Sequence, residues 1–504
     1  MNEQKWTEEQ RKIIKDKNNL IVSASAGTGK TFVITQKIEY EIQLNKSFQK
    51  IAALTFTNKA ADELDSRLKR NNEGNFIGTI HNFVLHEIIN PFFKDVYDIN
   101  YEGNFSYSTK LKFSTFEDGI KYMEYGEVGE YYDTKKSYIF DLGLKIIRDS
   151  RACQLFLQAK YYKIFIDEYQ DCDISMNKFF LYILEKLHIP LVIVGDEKQS
   201  IYSWRGADPS LFKSLLNSKK FRKYHLTVNF RCGISIQNYA NLIFGYKTNP
   251  YKDTNDRNVL FIVTDKSNDS ILDVLSYCEK ESSLAILTRS NNEVKSIGII
   301  LNKNDIDCAI IQKSPVEAIQ NKDSYIYVLI AKYLIVKDYS EYDFAEDIDL
   351  KNRYKDISIE ELRSRLLKLV KEDNQNHKHS VSLILDLFKL NLNEELYMKF
   401  EETINNHIFH YGFNIKHYKN AVMTIHAAKG LEYDQVILFA DDYNFESPEN
   451  RELHYVAATR AKSKLIIIAH HDSNSNKFWK YLISRSESES IKLDKIIKLV
   501  KLKQ

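Results

Sequence analysis

Two short runs hold residues whose types and spacing could hydrolyse a phosphoanhydride. Ala24-Ser25-Ala26-Gly27-Thr28-Gly29-Lys30-Thr31 follows an apolar run and opens a helical pattern. Small residues let backbone N–H groups close round phosphate oxygens at a helix N-terminus, where the macrodipole also favours anions. In such a loop the Lys30 ammonium reaches the β- and γ-phosphates, and the Thr31 hydroxyl ligates Mg²⁺. The competing reading is a chance glycine-rich turn, and a second run argues against it. Ile164-Phe165-Ile166-Asp167-Glu168-Tyr169-Gln170-Asp171 is an apolar strand that ends in carboxylates. Asp167 would hold Mg²⁺, and Glu168 would orient and deprotonate the attacking water. By itself an Asp-Glu pair after a strand is more often a helix cap. Downstream of a phosphate loop it reads as a metal ligand and a base.

Such groups need a rigid scaffold. Residues 20–23, 51–55, 164–166 and 191–194 are short β-branched runs, each leading directly into polar residues. That pattern predicts a parallel α/β sheet with its chemistry at the strand C-termini. Residues 259–263, 284–287, 308–311, 421–424, 436–439 and 465–468 predict a second sheet. Two stretches break the rhythm. Residues 84–160 are Tyr-rich with little strand signal, and 326–415 read mainly as helix. Both read as insertions, one into each sheet domain. In the second, Ser358-Ile359-Glu360-Glu361 is a capping box ahead of Leu362, Leu366, Leu369 and Val370 at helical spacing. In the tail Lys492, Lys495, Lys498 and Lys501 stand three apart beside an apolar stripe, which predicts a solvated helix face.

Bulk properties set bounds. A chain of 504 residues, 43% hydrophobic, is too long for one core. A net charge of +2 makes any basic surface local. Five cysteines stand far apart and never form CxxC, so no zinc or iron–sulfur site follows and a reduced cytoplasm is expected. The N-terminus lacks the apolar core of a signal peptide, and no apolar run is long enough to span a bilayer.

Further blocks carry a family resemblance. Thr7-Glu8-Glu9-Gln10, Thr55-Phe56-Thr57-Asn58-Lys59-Ala60-Ala61 and Gly78-Thr79-Ile80-His81-Asn82-Phe83 come first. Gly195-Asp196-Glu197-Lys198-Gln199-Ser200-Ile201-Tyr202-Ser203-Trp204-Arg205-Gly206-Ala207 follows, and then Asn229-Phe230-Arg231. Thr424-Ile425-His426-Ala427-Ala428-Lys429-Gly430-Leu431-Glu432 and Tyr455-Val456-Ala457-Ala458-Thr459-Arg460-Ala461 complete the set. In this order the chain resembles the UvrD/Rep-type helicases of superfamily 1. The resemblance implies an α/β fold of two RecA-like parallel-sheet domains, each with a mainly helical insertion. The first domain would be 1–83 with 161–238, interrupted by 84–160. The second would be 239–325 with 416–504, interrupted by a reduced insertion at 326–415.

The resemblance also implies roles. Gln10 would read adenine, Gln199 would sense the γ-phosphate, and Glu432 would touch the ribose. Arg231 and Arg460 would be arginine fingers; fixed cations stabilise charge that develops on a transferred phosphoryl group. Phe56, Thr79, His81, Tyr202, Trp204, Arg205, Arg289, Asn291 and His426 would line a groove for single-stranded DNA, since aromatic faces stack on bases without regard to sequence. Arg289 and Asn291 are the weaker match. Trp204 in isolation reads as a core residue. One departure stands out: Phe32 replaces the usual Arg after the phosphate-loop Thr, and Phe230 replaces the usual Tyr opposite. A base between two phenylalanines keeps stacking and loses cation–π contacts. Relaxed selectivity among NTPs and dNTPs follows, unless Phe32 turns into the core.

Within the family the chain is most similar to the helicase-like subunit of the Gabija anti-phage system. The stretches carrying this are Asn75-Phe76-Ile77-Gly78-Thr79, Tyr162-Lys163-Ile164 and Lys223-Tyr224-His225-Leu226-Thr227. That implies an OLD-type nuclease subunit as partner and the sensing of DNA ends or single strands. A general 3′→5′ repair helicase is the alternative; the small insertion at 326–415 argues against strong unwinding by a lone monomer. A non-catalytic DNA-end-binding scaffold is another, opposed by the intact Lys30, Asp167, Glu168, Arg231 and Arg460.

Overall fold

The computed structural model describes residues 6–68, 74–99, 101, 103–246, 249–264, 270–319, 323–348, 350, 354, 356–371, 377–470 and 473–502. The chain groups into two units, Met1–Val259 with Tyr443–Ser463 and Asn476–Lys498, and Leu260–Asp442 with Lys464–Ser475 and Leu499–Gln504. The helix Pro448–Ala458, which by sequence lies between strands of the second set, groups with the first unit.

The first unit is built on strands β1 (Leu20–Ala24), β2 (Lys50–Thr55), β3 (Phe76–Thr79), β6 (Tyr161–Ile166), β7 (Leu191–Gly195) and β8 (Arg222–Leu226). They form one sheet in the order β3-β2-β6-β7-β1-β8, with every neighbouring pair parallel. The near-continuous apolar runs of β1, β2, β6 and β7 follow from cover on both faces. Apart from Thr7–Gln10, which caps and opens helix Glu8–Lys15 ahead of β1, every motif of this unit that precedes residue 232 lies at or just beyond the C-terminal end of a strand or in the helix that follows it. The insertion 84–160 is mainly helical, with a two-stranded ribbon of β4 (Ser106–Phe113) and β5 (Glu127–Tyr131). It shares one core with the sheet through Phe83, Tyr138, Phe140 and Ile164.

A buried ionic knot ties the nucleotide-facing elements together from behind. Lys37, on helix Lys30–Leu44, donates to the carbonyls of Ile14 (3.2 Å) and Asp16 (2.6 Å) and pairs with Glu41 at 2.9 Å. Lys163, on β6, reaches the same Glu41 oxygen at 2.6 Å. Lys37 thereby satisfies a carbonyl that helix Glu8–Lys15 leaves without an intrahelical donor.

A second sheet, whose strands lie in the second unit apart from Val259, Ala461–Ser463 and Lys498, holds β9 (Val259–Thr264), β10 (Leu284–Thr288), β11 (Ala309–Ile310), β12 (Asn420–Thr424), β13 (Tyr433–Phe439), β14 (Ala461–His470) and β15 (Lys498–Lys501), in the order β11-β12-β10-β13-β14-β9-β15. Its insertion is helical around a core of its own that includes Tyr327, Phe344, Leu366, Ile384 and Phe400. The expected cap is present: the Glu361 N–H donates to Ser358 Oγ at 3.1 Å, opening helix Ile359–Lys371. The tail corrects the sequence reading. It is a short 3₁₀ turn followed by the edge strand β15, because Val500 and Leu502, two apart, pack on the sheet core. Spacing by two, not the lysine spacing, sets its conformation. Among the described residues no helix is long and apolar enough to cross a membrane.

Candidate nucleotide site and strand-facing surface

The phosphate loop joins β1 to helix Lys30–Leu44. Gly27 (φ 76°) and Gly29 (φ 82°) take left-handed backbone, which Cβ-bearing residues adopt only with strain. A Cβ at Gly27 would lie 2.6 Å from Asn229 Oδ1 and 2.8 Å from Arg231 Cβ. Asn229 fixes the loop from the far side. Its Nδ2 donates to the Ala26 carbonyl (2.8 Å), while its Oδ1 accepts from the N–H groups of Arg231 (2.8 Å) and Cys232 (2.9 Å). The Phe230 N–H adds a bond to the Gly27 carbonyl at 2.8 Å. The Tyr455 hydroxyl accepts from the Ala26 N–H at 3.3 Å, and Thr28 Oγ1 donates to the Ser25 carbonyl at 2.7 Å.

Asp167 and Glu168 stand at the end of β6. Lys30 Nζ lies 3.4 and 3.5 Å from the two Glu168 oxygens. Asp167 is 7% exposed and accepts the Glu168 N–H at 2.9 Å. Glu168 itself is left-handed (φ 54°), a strain of about 1–3 kcal/mol of the kind that collects at functional sites. Gln170, fully buried, donates to Glu168 and accepts the Asp196 N–H at 2.9 Å; Asp196 in turn accepts from Gln199 Nε2 at 2.6 Å. One run of hydrogen bonds thus links Glu168 to Gln199. Arg460 is 2% exposed and donates to the Val456 carbonyl (2.9 Å) and Thr459 Oγ1 (3.3 Å). Burial, and next the nearby Arg231 guanidinium, push its pKa down to about 10, and Glu168 opposes that shift. Gln170, Asn229 and Tyr455 are contributors that sequence reasoning missed. Neutral amides in turns carry no periodic signal, although all three lie inside motifs already noted.

ATP with Mg²⁺ fits this set. At Gly27 a Cβ has no room, Gly29 caps its helix without any side-chain hydrogen bond, and Lys30, Thr31 and Asp167 are the cation and oxygen groups that would hold such a ligand. When bound, it supplies the phosphoanhydride to be cleaved and a divalent charge to stabilise it. Phe32 is 39% and Phe230 61% exposed, so Phe32 does not turn into the core. Gln10 is 3% exposed, and its Oε1 closes a capping box by accepting the Thr7 N–H at 3.0 Å.

Six of the candidate strand contacts lie in the first unit. Trp204 is 59% exposed, so it is not a core residue, and Arg205 stacks over its ring at 4.5 Å. Tyr202 is half-buried, with Arg205 5.6 Å from its ring centre. Phe56 packs on the sheet core. Thr79 caps helix Ile80–Val84, accepting the Asn82 N–H at 3.1 Å. His81 lies against Tyr107 and Phe140, and desolvation pushes its pKa down to about 4, leaving a neutral ring. The others belong to the second unit. Arg289 follows β10, is exposed, and donates to the Asp442 carbonyl at 2.8 Å. Asn291 opens helix Asn291–Lys303, and His426 and Glu432 lie in the turn after β12.

Comparison with known proteins agrees with this layout. The family described as an AAA domain matches residues 8–205, and the UvrD-like helicase C-terminal domain matches residues 420–468. The chain is 38% identical over 97% of its length to Gabija protein GajB of Bacillus cereus, covering 99% of that protein. It is 23% identical to a probable DNA helicase of Mycoplasma pneumoniae, over 91% of this chain and 82% of that one. With a probable DNA helicase II homolog of Rickettsia conorii it shares 24% identity over 91% of each. Since the likeness to GajB runs nearly end to end and the phosphate loop and its carboxylates are in place, the chain belongs with GajB to the UvrD-like helicases, as an ATPase of the P-loop class.

Proposed function

We propose that the chain is a DNA-stimulated NTP hydrolase that binds single-stranded DNA or DNA ends. Lys30 neutralises phosphate charge, Thr31 and Asp167 hold Mg²⁺, Glu168 is the general base, and Gln199, Arg231 and Arg460 stabilise the transferred phosphoryl group. Gln10, Phe32 and Phe230 flank the base. The observation that carries the reading is the hydrogen-bonded run from Glu168 through Gln170 and Asp196 to Gln199. Trp204 and Arg205 follow Gln199 by five and six residues, a reach of at most about 20 Å. One segment therefore leads from the catalytic carboxylate to an exposed aromatic–arginine pair suited to a stacked base. The test is ATP turnover with and without single-stranded DNA: marked stimulation supports the reading, and equal rates overturn it.

The kinship with GajB supports a finer reading. The chain acts in anti-phage defence in the cytoplasm, in a hetero-oligomer with an OLD-type nuclease subunit. Purification of the tagged chain from its native host, read by mass spectrometry, should recover a nuclease of that type in fixed ratio. Recovery of the chain alone would remove this part of the reading and leave the ATPase standing.

A further inference from the structure

Lys198 is a buried cation for which neither the phosphate loop nor the DNA segment accounts. It is 7% exposed, and among the described residues its Nζ has no hydrogen-bond acceptor. Hydrated ammonium groups are costly to bury, and an unpaired one is retained in a core only against a steady bias toward apolar replacement. Its surroundings are specific. Nζ lies 5.7 Å from the ring centre of Phe244 and 5.8 Å from that of Tyr455. Those two rings meet edge to face, at 5.5 Å and 90°. The negative ring faces and the nearby carboxylates of Asp196 and Glu197 are what hold the charge. Tyr455 in turn sits on the Ala26 N–H of the phosphate loop, and Ala26, Ala240 and Tyr455 pack together with Phe244 against them. Lys198 is also the residue immediately before Gln199, in the same 3₁₀ turn Glu197–Gln199.

We infer that Lys198 is a positioning residue of the ATPase, a cation–π tie that holds the Gln199 turn in register with Tyr455 and the phosphate loop. The inference rests on the nucleotide-site reading above and extends it to a residue that touches neither nucleotide nor strand. Its logic is a contrast between stability and rate. A lysine kept for stability would be missed by the fold. A lysine kept for register would be missed by catalysis alone, since an apolar side chain of similar length fills the same space without the desolvation cost.

The test uses the full-length chain with ATP as substrate. Lys198→Met should keep or raise the melting temperature, bind a non-hydrolysable ATP analogue within about twofold of the parent, and lower kcat about tenfold. In a double-mutant cycle with Tyr455→Phe, the two losses in kcat should combine to less than their product, since both act on one tie. A drop in melting temperature of several degrees in Lys198→Met, including failure to fold, would assign Lys198 to stability and overturn the inference. Unchanged kcat in a stable variant would overturn it as well. The underlying reading is checked separately with Lys30→Ala. If the parent and Lys30→Ala turn over equally, the nucleotide site is wrong and the inference goes with it. If only the parent turns over while Lys198→Met matches it, the inference alone is wrong.

Discussion

The side-chain amide of Gln170 donates to Glu168 while its carbonyl takes the Asp196 N–H, so the Glu168 carboxylate cannot reorient without disturbing the turn that carries Gln199. This one amide makes Glu168 and the Gln199 turn a single mechanical element, and under the proposed roles the consequences are measurable.

Lys30→Ala and Glu168→Gln should both abolish hydrolysis, for different reasons. The first removes a cation next to the phosphates; the second leaves that cation and removes the base. Binding of a fluorescent ATP analogue should fall sharply in Lys30→Ala and persist in Glu168→Gln. Near-normal turnover in Glu168→Gln would show that another group activates the water.

Nucleotide choice should be loose. Phe32 and Phe230 offer faces and no polar edge, and the Gln10 carbonyl is engaged by the Thr7 N–H. GTP and dATP should be hydrolysed within roughly tenfold of ATP, since the missing edge contacts amount to about 1.4 kcal/mol. A thousandfold preference for ATP in steady-state competition would show that backbone groups read the base instead.

Trp204→Ala should lower DNA-stimulated turnover, with nucleotide affinity and basal rate nearly unchanged. Stacking one base on an aromatic is worth about 1–3 kcal/mol, enough to shift the segment between two positions. Because Trp204 is exposed, its melting temperature should not move. Retained stimulation would place the strand elsewhere.

Gly206→Ala should destabilise the first unit by about 2 kcal/mol or more, measured by urea unfolding. Gly206 is left-handed (φ 94°), and an added Cβ would come within 1.7 Å of the Thr134 carbonyl oxygen. Wild-type stability would mean that the 134–135 backbone yields readily.

Acid should weaken the first unit through His454. Its side chain is fully buried against Tyr443, Phe445 and Phe478, and desolvation pushes its pKa down to about 3. The unfolded chain takes up the proton near pH 6.5 and the native chain only near 3, so the unfolded state binds more protons between those values. The stability in question is complete above about pH 6.5 and is lost as pH falls through that window. His454→Phe should reduce the loss by roughly 1–3 kcal/mol between pH 7 and 4. Parallel pH profiles for the parent and His454→Phe would contradict this.

What could be read from the chain in advance follows from where each residue sits. β1, β2, β6 and β7 are apolar on both faces and therefore legible as runs. β8, with the sequence Arg222-Lys223-Tyr224-His225-Leu226, is an exposed edge whose side chains meet water, so its pairing with β1 leaves almost no trace in composition. The juxtaposition of Lys30 with Glu168 at the end of β6 was legible because a glycine-rich loop followed downstream by a carboxylate pair ending an apolar strand is a combination that points to phosphate and metal more than either run does alone. The amides of Gln170 and Asn229 were not, because their work is done by direction, which residue type does not encode. In the tail, lysines three apart suggested a helix, and the alternation of Val500 and Leu502 proved to be the physical signal.

Asn229 carries a consequence of a different kind. One carboxamide grips the phosphate loop through Ala26 and shapes the turn that begins Arg231. A lineage drifting at this position cannot adjust how firmly the loop is held and where the arginine begins as independent traits. Any change there alters both at once, and restoring one without the other requires compensation from a second site. Position 229 is thus a point of pleiotropy, where selection on two properties acts through a single side chain.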